Sequence, residues 1–132
     1  MSAHSLERIL MVEDEPDIRS IAELALEAIG GFELTACDSG QQALEQIGEC
    51  QPQLILLDVM MPGMDGPATL AAIRSLPGYA TTPAVFMTAK VQNDEVQGYL
   101  AQGAAGVIPK PFDPLTLADQ IREIWNEACV IG

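Results

Sequence analysis

Carboxylates follow two short apolar runs of this chain. Glu13, Asp14 and Glu15 come after Ile9-Leu10-Met11-Val12, and Asp58 comes after Leu54-Ile55-Leu56-Leu57. Two or three carboxylates brought to one place repel one another unless a cation compensates them. The set is all oxygen, with no His or Cys beside it, which suits a hard cation such as Mg²⁺ better than zinc. The bland alternative for Glu13 to Asp17 is a helix N-terminus with Pro16 in its first turn, where acids meet the helix dipole favourably. Asp58 is harder to explain that way, because Val59-Met60-Met61 continues the apolar stretch on its far side, and aspartates usually avoid such surroundings. A carboxylate exposed at a strand tip beside a metal can attack a phosphoryl group and form an acyl phosphate.

Three further segments carry chemistry. Pro62-Gly63-Met64-Asp65-Gly66 is a glycine-rich turn that could come close to a ligand or simply precede a helix, with Asp65 as a turn or cap residue. Thr88 in Met87-Thr88-Ala89-Lys90 offers a hydroxyl of the kind a phosphoryl oxygen needs. Lys110 lies between Pro109 and Pro111, which fix the backbone from which it projects, and its ammonium could offset carboxylate or phosphate charge. The Lys110-Pro111 bond is a candidate cis peptide.

These residues need elements that bring them together. Val-, Ile- and Leu-rich runs at 9–12, 32–36, 54–57, 84–87 and 106–108 are too short for helices, and their lack of polar alternation predicts strands buried on both faces. Between them lie helical periods. Ile18, Ile21, Ala22, Ala25, Leu26 and Ile29 form one stripe, and Leu117, Ala118, Ile121, Ile124, Trp125 and Ala128 another. Weaker stripes surround Ala43, Leu70 and Tyr99, Gly30-Gly31 reads as a helix stop, and Asp113-Pro114 as a helix start. The reading is an α/β fold: a doubly wound, three-layer (βα)5 sandwich with a five-stranded parallel sheet in the order 2-1-3-4-5. Pro109 cannot donate to a ladder, which places the last strand on an edge. Ligands of such sheets bind beyond the carboxyl ends of the strands, where the residues named above fall.

The chain has 132 residues, 48% of them hydrophobic, and a net charge of −13. We expect one domain over 1–132, with a core from about 8 to 127. Its basic residues are too few for wrapping nucleic acid or lying on an anionic membrane. Cys37, Cys50 and Cys129 follow no ligand or CxxC spacing and fit a reduced cytoplasmic setting. The polar start from Met1 to Arg8 is no secretory signal, and no segment has the roughly 20 apolar residues of a membrane span.

Together, Val12-Glu13-Asp14-Glu15-Pro16, Leu57-Asp58-Val59-Met60-Met61-Pro62-Gly63-Met64-Asp65-Gly66, Met87-Thr88-Ala89 and Gly103-Ala104-Ala105-Gly106 leading to Lys110-Pro111-Phe112 resemble the receiver domain of bacterial two-component response regulators. The resemblance spans Arg8 to Glu127 and implies a flavodoxin-like fold. It implies Mg²⁺ (or Mn²⁺) held by Glu13, Asp14, Asp58 and the backbone carbonyl of Met60, with Asp58 as phosphoacceptor, Thr88 as switch hydroxyl and Lys110 as the site cation. It also implies a sensor histidine kinase or histidine phosphotransfer protein as donor. A downstream protein or output domain would read helix 4, strand 5 and helix 5, and a homodimer through that face is left open. Lys90 and Met60 match positions that tune the phosphoryl lifetime. The resemblance departs at Val107, where the family carries a switch aromatic. Two other readings are weighed beside it: an aspartyl-nucleophile phosphohydrolase, against which Asp58-Val59-Met60 lacks a second Asp, and a flavin-binding carrier, against which no Ser/Thr-rich phosphate loop follows the first strand.

Overall fold

The computed structural model describes residues 5–131, with side chains as far as Ala128. Met1 to His4, Gly132 and the side chain of Cys129 lie outside the described residues. Five parallel strands, β1 (Arg8–Val12), β2 (Glu33–Cys37), β3 (Leu54–Asp58), β4 (Ala84–Thr88) and β5 (Gly106–Pro109), form a sheet in the order β2-β1-β3-β4-β5. This is the expected doubly wound, flavodoxin-like order. Each expected run lies within one residue of its strand.

Period-two alternation divides the strand side chains between two apolar layers. Ile9, Met11, Leu54, Leu56, Val85, Met87 and Ile108 pack with Ala22, Ala25, Leu26, Leu117, Ala118, Ile121 and Trp125 of the first and last helices. Leu10, Val12, Ile55, Leu57, Ala84 and Phe86 pack on the other face with α2 (Gly40–Cys50) and α3 (Gly66–Arg74), and Tyr99 of α4 (Asn93–Ala101) lies against that layer. The inner strands β3 and β4 are buried throughout, whereas β2 and β5 carry the exposure of edges.

Local chemistry sets the helix ends. Ser39 Oγ accepts from Gln42 N at 3.1 Å to start α2, and Asp65 Oδ1 accepts from Ala68 N at 2.9 Å to start α3. Gly31 takes a left-handed φ of 77° after the first helix.

Two expectations shift. Helix α1 (Pro16–Glu23) continues into a π-helical turn over Leu24–Ile29, whose wider winding breaks the 3.6-residue stripe. Ala22, Ala25 and Leu26 are buried, but Ile21 and Ile29 are exposed and Ile18 is half-buried. Helix α5 (Leu117–Ile131) begins later than Asp113-Pro114 suggests. Asp113 instead organises the preceding turn, its Oδ1 accepting from Leu115 N at 2.9 Å.

Candidate functional site

Strand register builds the site. Val12 is level with Leu57, so the next residues, Glu13 and Asp58, meet at the carboxyl edge. Glu13, Asp58 and Lys110 each stand two positions beyond a core residue of one face, namely Met11, Leu56 and Ile108. The same alternation that buries those three projects Glu13, Asp58 and Lys110 to one side.

The result is a compact charge cluster. Lys110 Nζ donates to Glu13 Oε1 at 3.0 Å and to Asp58 Oδ1 at 3.2 Å. Glu13 is wholly buried and Asp58 is 2% exposed. Glu13 is further held by its own backbone: Oε2 accepts from Glu15 N at 3.1 Å, and Arg19 donates to its carbonyl at 2.9 Å. Burial first, and then the Glu13 carboxylate, push the Asp58 carboxyl up to about 7 against the pull of Lys110. Burial works against the Lys110 ammonium, but Glu13 and Asp58 together outweigh it and hold its pKa above the ordinary lysine value.

Asp14 provides the observation that bears on a metal. Its Oδ1 is buried without a hydrogen-bond partner, an expensive arrangement for a carboxylate. Ligand oxygens of Glu13, Asp14 and Asp58 all lie within 4.8 Å of one another. The donor set and the orphaned oxygen fit a hard divalent cation, which takes one or two carboxylates and keeps several waters. Each Glu13 oxygen already accepts one hydrogen bond and so does Asp58 Oδ1, which leaves Asp14 Oδ1 as the unpartnered oxygen of the cluster.

Thr88 ends β4 level with Pro109, and its Oγ1 accepts from Lys90 N at 3.0 Å. Its carbonyl accepts from Lys110 N at 2.9 Å, which ties the hydroxyl's strand to the lysine's. The Lys110-Pro111 bond is cis, as anticipated. Met60 lies in the loop after β3 and is 65% exposed, and Lys90 is exposed as well. An open cleft of about 240 Å³ lined by Glu15, Ile18, Asp58, Met60, Thr88, Ala89 and Lys110 opens onto Asp58.

The glycine-rich turn has a packing role at its end. A Cβ on Gly66 would stand 2.6 Å from the Asp58 carbonyl oxygen and 2.9 Å from Val59 Cα. Gly66 therefore lets α3 start directly against the strand end that carries Asp58. Asp65 is the α3 cap.

Residues 9–122 match the response regulator receiver domain. The chain belongs to the response regulator receiver family. It is 37% identical over 116 residues to the transcriptional regulatory protein CseB of Streptomyces coelicolor, covering 88% of this chain and 48% of CseB. An uncharacterized 14.6 kDa protein of Leptolyngbya boryana is 34% identical over 115 residues, 87% of each chain. Among solved structures, the chemotaxis protein CheY4 of Vibrio cholerae superposes with a TM-score of 0.83 at 29% identity, covering 91% of this chain and 99% of that one. The receiver spans about half the length of the transcriptional regulators it matches. These likenesses favour neither the phosphohydrolase nor the flavin carrier.

Sequence reasoning brought Glu13, Asp14, Asp58, Thr88 and Lys110 to one strand edge, and the structure places them there. It missed Arg19 as a clamp on the Glu13 backbone and read Ile18 and Ile21 as core. Both isoleucines instead line an apolar cavity of about 330 Å³ with Ala89, Lys110, Pro111 and Phe112, next to the cleft. The signal was a stripe six residues long on a helix whose face has room for three. No helix among the described residues is long and apolar enough to cross a membrane. Arg8, Arg19, Arg74 and Arg122 all donate to backbone carbonyls, so the four guanidinium groups are engaged within the chain.

Proposed function

We propose that Asp58 accepts a phosphoryl group from the phosphohistidine of a sensor histidine kinase or histidine phosphotransfer protein, and that the receiver thereby switches a partner surface. The observation that carries this reading is Asp58 itself, a buried aspartate at the tip of β3 whose Oδ1 lies 3.2 Å from Lys110 Nζ at the base of an open cleft.

Asp58 must be ionised to attack. Lys110 favours that form, and its ammonium faces the charge that develops as the Asp58 P–O bond forms and the donor's P–N bond breaks. Glu13 holds Lys110 in place from the other side. Mg²⁺ or Mn²⁺ held by Glu13, Asp14, Asp58 and the Met60 carbonyl would supply further positive charge beside the phosphoryl oxygens. Thr88 Oγ1 then has a new acceptor to donate to, in place of its present bond from Lys90 N. The surface of α4, β5 and α5 carries that change to a downstream protein or output domain. We read the domain over 1–132 as a cytoplasmic signalling switch that promotes its own phosphorylation and slow dephosphorylation, with no substrate turnover of its own.

Incubation with acetyl phosphate and Mg²⁺ should add the mass of one phosphoryl group, and Asp58→Asn should abolish the gain. Equal labelling of Asp58→Asn would overturn the assignment of the acceptor.

A further inference from the structure

Helix α4 is lightly attached. Among the described residues it buries no side chain fully, and the segment before it, Ala89 to Gln92, is exposed throughout. Beside its packing on β5, three contacts bear on its attachment. Thr88 Oγ1 accepts from Lys90 N at 3.0 Å, which fixes the turn leading into the helix. At the far end Ala104 N donates to the Tyr99 carbonyl at 3.2 Å, and Ala105 N to the Ala84 carbonyl at 2.7 Å, which ties the helix exit to β4. Between them the Tyr99 ring meets Phe86 edge-on, with centroids 5.4 Å apart and planes at 70°.

The position of Phe86 makes that ring contact informative. It precedes Thr88 by one strand period, so the two side chains share the sheet face that α4 covers. Phe86 is fully buried and fixed between Leu57 and Val107 in the register. Val107 projects from the same face with a short side chain, and the ring packed on Phe86 comes from the helix.

We propose that the Tyr99 ring on Phe86 is the pivot about which α4 turns when the Thr88 hydroxyl leaves the Lys90 amide. The proposal rests on the phosphoacceptor reading above, since a phosphoryl group on Asp58 is what draws the hydroxyl away. Loss of that bond frees the entrance of α4, its exit stays tied to β4, and the aromatic contact between them carries the motion. Val91, 42% exposed, and Leu100, 39% exposed, flank the moving segment and would change their presentation to a partner.

The chain has two tyrosines, so uniform 3-fluorotyrosine labelling yields two fluorine resonances, which Tyr79→Phe assigns. Tyr79 is a built-in reference, because its hydroxyl donates to the Ile47 carbonyl at 3.1 Å on the α2 side. Spectra are recorded before and after acetyl phosphate with Mg²⁺, and intact mass is measured on the same samples. We expect the phosphoryl mass to appear, the Tyr99 resonance to shift and the Tyr79 resonance to stay. In Phe86→Leu the mass gain should persist and the Tyr99 shift should be lost. A full mass gain with an unmoved Tyr99 resonance, or with both resonances moving together, overturns the pivot and leaves the phosphoacceptor reading intact. Absence of the mass gain overturns that reading and the pivot with it.

Discussion

The Nζ of Lys110 lies 3.2 Å from Oδ1 of Asp58, a contact across 52 residues of sequence. The same ammonium holds Glu13 at 3.0 Å, so one cation keeps two buried carboxylates beside each other. Removing one member of a buried charged cluster leaves the others uncompensated. Lys110→Met should therefore lower unfolding stability by about 1–3 kcal/mol near pH 8. The loss should be smaller near pH 5, where Asp58 can take up a proton instead. Urea unfolding at the two pH values checks this, and equal losses at both would refute it.

A pH dependence follows from Asp58. In the folded chain without metal its carboxyl titrates at about 7, against 3.8 for the free group. Between those values the native chain keeps a proton that the unfolded chain has released. Stability then falls as pH rises through this window and levels off above it. The stability of the wild type relative to Asp58→Asn should drop from about pH 4 to about pH 7. A flat or rising difference across that range would show that burial and Glu13 do not govern the group.

Asp14 and Glu13 are both acidic and adjacent but should not behave alike. Asp14 Oδ1 is orphaned, whereas both Glu13 oxygens are bonded. Asp14→Ala should weaken Mg²⁺ binding in calorimetric titration by at least about tenfold, and should stabilise the metal-free protein by relieving a buried unpaired oxygen. Glu13→Gln should cost less in affinity. A reversed order of affinities would remove Asp14 from the metal's direct ligands.

Two glycines near the site make a matched pair. Gly66→Ala forces a methyl against the Asp58 and Val59 backbone, which should cost about 1–3 kcal/mol and slow phosphorylation from acetyl phosphate. Gly63→Ala meets nothing within 4 Å but has a φ of 75°. It should cost about 1 kcal/mol with the phosphorylation rate unchanged. If both variants slow the reaction alike, Gly66 has no special part in placing Asp58.

Much of this was legible in the residue order. Strands buried on both faces leave an unbroken apolar run, so β1, β3 and β4 stand out, and the site residues follow them directly. The charged positions were readable for the same reason, since a carboxylate interrupting Leu57 and Val59 has no cheap structural excuse. What could not be read depends on distances between segments far apart in sequence. The π-helical turn changes the facing of Ile29, and nothing in Leu24 to Ile29 announces it. Gly66 looked like a loop glycine because its neighbour, the Asp58 carbonyl, is set by tertiary packing. The edge contact of Tyr99 on Phe86 likewise joins a helix to a strand that precedes it, and periodicity alone marks Tyr99 only as apolar-facing.

Pro109 closes β5 on the outside of the sheet, level with Thr88. The inner ladder loses nothing, because the amide that bonds Thr88 belongs to Lys110. On the outer side the missing N–H leaves a gap in the hydrogen-bonding edge of a strand only four residues long. Another molecule seeking to extend the sheet there would find too few donors to zip onto. Copies of this protein thus meet a poor template for strand-to-strand pairing along that border, and the other open edge of the sheet is β2.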